Sequence, residues 1–173
     1  MKGWDAACVR MCTFVKFKLR ENGKIFSVFN TQLDHEGPQS RDASVKLLWD
    51  KMSSLVESEE EPIILMGDFN DYHSKYPYQY LTGREGANLT DAYKVSEKQL
   101  GNDVSYTYHG WMGPKKKEER NAKPMDNHID WILFHPSTLD VKRSQVITET
   151  RDKAGKLFPS DHYPITSLFS FPG

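Results

Sequence analysis

The sequence predicts a strand-rich domain of the α/β or α+β class, on three observations. Short segments with a period of two, or a continuous apolar run, recur along the chain, and one stretch alone carries a sustained helical period. Small groups of Asp, Asn, Gln and His follow directly on the apolar runs, so polar chemistry gathers at strand ends. At 173 residues the chain fits one domain, residues 1–173, and is long enough to bury a core.

Composition narrows the function classes. With 38% hydrophobic and 27% charged residues, and no long apolar run, repeat or low-complexity tract, readings as a disordered chain, a membrane span or a solenoid are disfavoured. Lys plus Arg number 23 against 24 Asp plus Glu, a net charge of -1, so the overall balance does not attract a long polyanion and tight binding of duplex DNA is not expected. The opening residues Met1-Lys2-Gly3-Trp4-Asp5 carry none of the features of a secretory signal, and the compartment stays open. Cys8 and Cys12 are too few for a disulfide framework or a four-ligand zinc site. Two ordinary thiols are expected, with a local disulfide as the alternative.

In chain order, Met11, Thr13, Val15, Phe17 and Leu19 share one face of a half-buried strand and Lys16 and Lys18 the other. Asn22-Gly23 supplies a turn, and Ile25 to Phe29 returns as the second strand of a hairpin, delivering Asn30-Thr31-Gln32 to its end. Val45, Leu48, Met52 and Leu55 then recur at helical spacing, with Ser40 as N-cap and an end in the acidic stretch Glu57 to Glu61, beyond which Pro62 blocks continuation. Ile63-Ile64-Leu65-Met66 reads as a strand buried on both faces, placing Gly67-Asp68-Phe69-Asn70 at its end. From Asp71 to Tyr80 a loop with at most a short helix is expected, and Leu89 to Tyr93 starts another element. Lys115 to Lys123, bounded by Pro114 and Pro124, reads as a solvated loop, with lysines that meet a phosphate as the alternative. Ile129 to Phe134, Val141 to Thr148 and Ile165 to Phe171 are the remaining strands.

Asp68 and Asn70, two apart on extended backbone, point to one side while Phe69 turns into the core. A carboxylate there can orient or deprotonate a water, and the amide can hold a phosphate oxygen without adding negative charge. A Gly-Asp turn after a buried strand is the plain alternative. Ser160-Asp161-His162, between Pro159 and Pro164, sets a hard oxygen ligand beside a group that exchanges protons near neutral pH, or else is a surface loop whose Asp caps local amides. Asp130, inside an otherwise apolar strand, needs a partner: His162 is one candidate, and a structural Asp–Arg pair would serve equally.

Taken in order, Gly67-Asp68-Phe69-Asn70, His128-Ile129-Asp130-Trp131-Ile132 and Ser160-Asp161-His162-Tyr163-Pro164-Ile165 resemble three downstream motifs of the endonuclease/exonuclease/phosphatase superfamily. The resemblance extends to the helix after Asn30-Thr31, to Leu89-Thr90-Asp91-Ala92-Tyr93 and to Tyr106-Thr107-Tyr108-His109-Gly110-Trp111. It implies an α+β fold, part of a four-layer α/β/β/α sandwich with two packed, mostly antiparallel sheets. By the same resemblance Asp68 positions the nucleophilic water, Asn70 contacts the scissile phosphate, Asp130 orients His162, Asp161 helps bind Mg²⁺ or Mn²⁺, and Asn30 and Gln32 face the substrate, a phosphate ester of unspecified class.

Two departures accompany it. Where the family pattern reads Asn-Thr-His-Leu, this chain has Asn30-Thr31-Gln32-Leu33, and Gln32 can donate a hydrogen bond but cannot carry charge or shuttle a proton. His35, at an odd offset, is expected on the other face and in solvent. The resemblance also implies an earlier half, with an Asn and a metal-binding Glu, that does not precede Met11, so an incomplete domain with an open edge is expected. The implied function is metal-dependent hydrolysis of phosphate esters, impaired in this chain; the alternative is a non-catalytic relative that binds phosphate-containing partners.

Overall fold

A computed structural model describes residues 2–58, 60–101, 104–113, 127–149 and 157–172. Strands β1 (Cys12–Lys18) and β2 (Ile25–Gln32) form the expected hairpin, closed where the Leu19 N–H donates to the Lys24 carbonyl around Asn22-Gly23. The face assignment of β1 is reversed. Cys12 and Phe14 pack inward, Phe14 stacking on Phe29 at 4.7 Å, while Val15 and Phe17 stand 42% and 46% exposed. The alternation misled because Lys16 is satisfied on the packed side, its ammonium 2.8 Å from Glu57 and 3.2 Å from Glu61. Both cysteines are free thiols.

Helix α1 (Pro38–Leu55) crosses from β2 to β3 (Ile63–Asp68), which pairs parallel to β2 as such a connection requires. The helix starts earlier than Ser40: Pro38 opens it after Gly37, and Asp5 caps it from outside, taking the N–H groups of Gln39 and Ser40 at 3.2 and 2.7 Å. It also stops short of the acidic stretch, at Leu55, which is exposed, whereas Val45 and Met52 are buried against β2 and β3. Sequence-distant β6 (Asp130–Phe134) joins β3 antiparallel, and the two-residue β4 (Thr90–Asp91) completes the sheet in the order β1-β2-β3-β6-β4.

A second sheet, β5-β7-β8, comprises β5 (Lys98–Leu100), β7 (Asp140–Val146) and β8 (Ile165–Ser170). It packs on the first through Phe134, Leu139 and Val141, with Ile64, Ile132 and Phe169 against them. On the opposite face of the first sheet, α1 and α2 (Tyr76–Thr82) cover Phe29, Leu65, Phe69, Trp131 and Leu133. The short helix expected after Asp71 is α2, and the element expected near Leu89 is β4 followed by α3 (Ala92–Val95). Two sheets, mostly antiparallel, with α1 and α2 on one face and the short α3 packed against β6 and β7, make an α+β sandwich. The charged segment Lys115 to Lys123 lies outside the described residues. Among the described residues no helix is long and apolar enough to cross a membrane.

Candidate active site

Register builds the site. In the β2–β3 pair Gln32 lies opposite Asp68, and in the β3–β6 pair Asp68 lies opposite Asp130, so three adjacent strands present polar residues at one level. Their side chains share the face turned toward the second sheet, since Trp131 and Leu133 fill the helix side. His162 enters from the segment before β8, held by an isolated bridge between His162 and Tyr108. Asp68, Asp130 and His162 each offer a ligand atom, all within 4.8 Å of one another.

The approach of β2 to β3 requires Gly67. Its φ is +143°, and a Cβ there would stand 1.8 Å from the Thr31 carbonyl oxygen. One residue beyond Asp68, Phe69 is fully buried and stacks on Trp131 at 4.4 Å, anchoring the strand end. The backbone then turns left-handed at Asn70, φ +50°, so the convergence of Asp68 and Asn70 comes from a turn and not from the extended backbone expected. The Asn70 N–H donates to Asp68 Oδ1 at 2.9 Å, and its amide Nδ2 donates to Asp68 Oδ2 at 3.2 Å and to the Leu33 carbonyl at 3.0 Å. Both amide hydrogens therefore have protein acceptors.

His162 Nδ1 lies 2.9 Å from Asp130 Oδ2, which makes Nδ1–H the donor to a carboxylate and turns Nε2 away from it. That hydrogen bond raises the His162 pKa above 6.5 against the opposing effect of burial, with Asp130, Asp68 and Asp161 adding electrostatic support. Asp68 is also raised above the usual carboxylate range, by burial first and by the facing Asp130 next; N–H groups of Asn70 and Gln32 pull the other way. Thr107, which the sequence reading passed over, is fully buried and accepts the N–H groups of Ile129 and Asp130 at 3.1 and 3.2 Å, pinning the start of β6. Nothing but its place in the aromatic stretch signalled it.

Other candidates fall elsewhere. Asp161 adjoins the cluster, but its carboxylate is outside the three-residue group; its backbone carbonyl accepts the N–H groups of His109 and Gly110 at 2.9 and 3.1 Å. Gln32 Nε2 donates to Asp68 Oδ2 at 3.1 Å. Asn30 is one step further from the site on the same face, lining a cleft with Val28, Met66 and Ile132. His35 is half-exposed and accepts from Arg10 at 2.7 Å, away from the cluster.

Asp34 is a second unforeseen element. Its side chain is wholly buried just beyond β2, where it accepts N–H groups of Ala7, Cys8, Glu36 and Gly37, with Arg10 Nε at 3.4 Å. Burial pushes this carboxyl up, but the N–H groups of Gly37, Cys8, Ala7 and Glu36 outweigh it and hold the group well below the usual carboxylate range. Arg41 reinforces the corner by bonding the Asp34 carbonyl at 3.0 Å and Asp71 at 2.9 Å.

The sequence model described as the Endonuclease/Exonuclease/phosphatase family matches residues 12–162. Among solved structures, a mannosyl-6-phosphatase of Bacteroides thetaiotaomicron superposes with a TM-score of 0.80 at 31% identity, over 99% of this chain and 61% of the other. An endonuclease/exonuclease/phosphatase from Bacteroides vulgatus gives 0.77 at 31% identity, over 99% and 59%. The human Nocturnin catalytic domain, solved with bound sulfate, gives 0.69 at 21% identity, over 94% and 53%, a likeness of fold alone. The chain thus spans about three fifths of the length of the first two of these structures. No curated protein sequence matches significantly.

Proposed function

Because this chain belongs to the endonuclease/exonuclease/phosphatase family, we propose that it takes part in metal-dependent hydrolysis of phosphate esters, with Asp68, Asn70, Asp130 and His162 as the reacting constellation. The observation that carries this reading is the 2.9 Å contact of His162 with Asp130 at the same level as Asp68. A buried structural carboxylate would be satisfied by any donor; an imidazole held through one nitrogen leaves the other to serve a substrate.

In this reading Asp68, with a raised pKa beside Asp130, orients the attacking water and takes its proton. His162, favoured as imidazolium by Asp130, donates through Nε2 to a phosphate oxygen, where a charged donor offsets developing negative charge. Asn70 reaches the phosphate by exchanging its Asp68 hydrogen bond for a phosphate oxygen. Asp68, a hard oxygen donor of the cluster, with Asp161 next to His162 in the chain, would hold Mg²⁺ or Mn²⁺, and the ion would supply neutralisation of charge on the phosphate oxygens. The similarity to a mannosyl-6-phosphatase makes a sugar phosphate the first natural substrate class to test.

The test is hydrolysis of bis-p-nitrophenyl phosphate, p-nitrophenyl phosphate and mannose 6-phosphate with and without Mn²⁺. Asp68→Ala and His162→Ala should each remove metal-stimulated turnover. A second reading, phosphate binding without chemistry, is favoured by Gln32, which supplies no cation. Phosphate binding retained with no hydrolysis by any of the three substrates would select it.

A further inference from the structure

The geometry points to Gln32 as a positioning residue that acts through Asp68, in place of the direct phosphate contact expected from the sequence. The inference rests on the hydrolase reading of the site for its catalytic consequence, and on contacts alone for its structural part. The parallel register sets Gln32 directly beside Asp68, and the hydrogen bond from Leu33 N–H to the Asp68 carbonyl at 2.9 Å locks the two strand ends together. From there the Gln32 amide donates to Asp68 Oδ2 at 3.1 Å.

Asp68 needs such a donor. Its carboxylate faces Asp130 and His162 with all three ligand atoms within 4.8 Å, and Asp130 repels it while the imidazole attracts it. A carboxylate free to rotate there would compete with Asp130 for the His162 proton. Three N–H groups restrain it: the Asn70 backbone N–H on Oδ1, and the Asn70 and Gln32 amides on Oδ2. Only two of these remain when Asn70 exchanges its longer hydrogen bond, the one to Oδ2 at 3.2 Å, for a phosphate oxygen. Gln32 is then the sole side-chain donor left on that oxygen among the described residues.

An amide also donates at every pH, whereas an imidazole at this position would change charge near neutrality. Gln32 thus keeps Asp68 oriented without adding an ionisation to the site. This assigns a function to the departure from the family pattern, instead of treating it as a loss.

Two arms test it on the full chain. In the first, the Gln32 side-chain amide resonances are followed by NMR in the parent and in Asp68→Asn; a shift of the Gln32 pair is expected, and an unmoved pair overturns the contact. In the second, Gln32→Leu is expected to lower kcat for bis-p-nitrophenyl phosphate about 10-fold with KM within about two-fold, the size expected for one hydrogen bond to a charged group. Gln32→His, which keeps a donor, should restore most of that loss. A rise in KM at unchanged kcat in Gln32→Leu would show direct substrate binding and sink the positioning role. A parent protein that hydrolyses none of the test esters counts against the hydrolase reading, while the NMR arm still decides the Gln32–Asp68 contact.

Discussion

The imidazole of His162 and the carboxylate of Asp130 meet at 2.9 Å although 32 residues separate them, because β6 starts and β8 is entered at the same end of the two sheets. Removing the charge tests the pair. Asp130→Asn should bring the His162 pKa down, since the Asp130 hydrogen bond is the largest cause of its elevation. NMR titration of the His162 ring reads this directly, and hydrolysis, where present, should fall by about 10²-fold or more as the acid loses its orientation. An unchanged titration would dissolve the dyad.

Gly67 offers a test of register. A Cβ at this position would lie 1.8 Å from the Thr31 carbonyl and on a backbone with φ +143°, so neither the space nor the conformation accepts one. Gly67→Ala should destabilise the fold by about 2–4 kcal/mol and separate β2 from β3 at their ends. Urea unfolding measures the first effect. Loss of the Gln32–Asp68 pairing, seen in the Gln32 amide resonances, measures the second.

Much of this end of the molecule was legible in the sequence, and the reasons differ by residue. Ile63 to Met66 and Ile129 to Phe134 announced themselves as strands because both faces are apolar, and Asp130 stood out as the one charge within them. The hairpin was readable from Asn22-Gly23. The face of β1 was not, because a lysine can be packed when two glutamates from distant parts of the chain meet it. The caps of α1 were equally hidden: Asp5, 35 residues before Ser40, does what a local Ser was expected to do. Thr107 and Asp34 carry no period or motif, since what defines them is the backbone N–H groups that the finished fold aims at them. The pairing of Gln32 with Asp68 depends on a parallel register that the crossover through α1 fixes.

Asp34 should prove a stability residue. Four backbone N–H groups and Arg10 converge on its buried carboxylate. Asp34→Asn keeps the shape but turns an amide NH₂ toward donors that need an acceptor, so a loss of about 3–5 kcal/mol is expected. Denaturant titration at neutral pH is the check. A variant as stable as the parent would mean that the N-terminal segment does not depend on this corner.

Acid sensitivity should come from two imbedded imidazoles away from the site. His73 is packed on Tyr78 and Trp131 with ring centroids 4.2 and 5.7 Å away, and its Nε2 has no hydrogen-bond partner among the described residues; Asp91, 3.7 Å away, is too far to bond it. Burial, then the charge of Lys94 and of His128, pushes its pKa down to about 3, so the ring is neutral and the Asp91 contact is not an ion pair at neutral pH. His128, whose Nε2–H donates to the Val104 carbonyl at 3.0 Å, is pushed down as well, by burial first. In the unfolded chain both titrate near 6.5. The unfolded state therefore binds more protons below that pH, and each imidazole that titrates only on unfolding removes about 1.4 kcal/mol of stability per pH unit. The stabilising contribution is fully present above pH 6.5 and is lost as pH falls. His162 acts with the opposite sign, because its pKa is raised, as do the raised carboxyls of Asp68 and Asp91. His162 is the more exposed ring, so the depressed pair should outweigh it as pH falls from 6.5 toward about 5. Urea unfolding at intervals across that window should show falling stability, and His73→Phe should flatten the slope by close to one proton; an undiminished slope in that variant would place the acid sensitivity elsewhere.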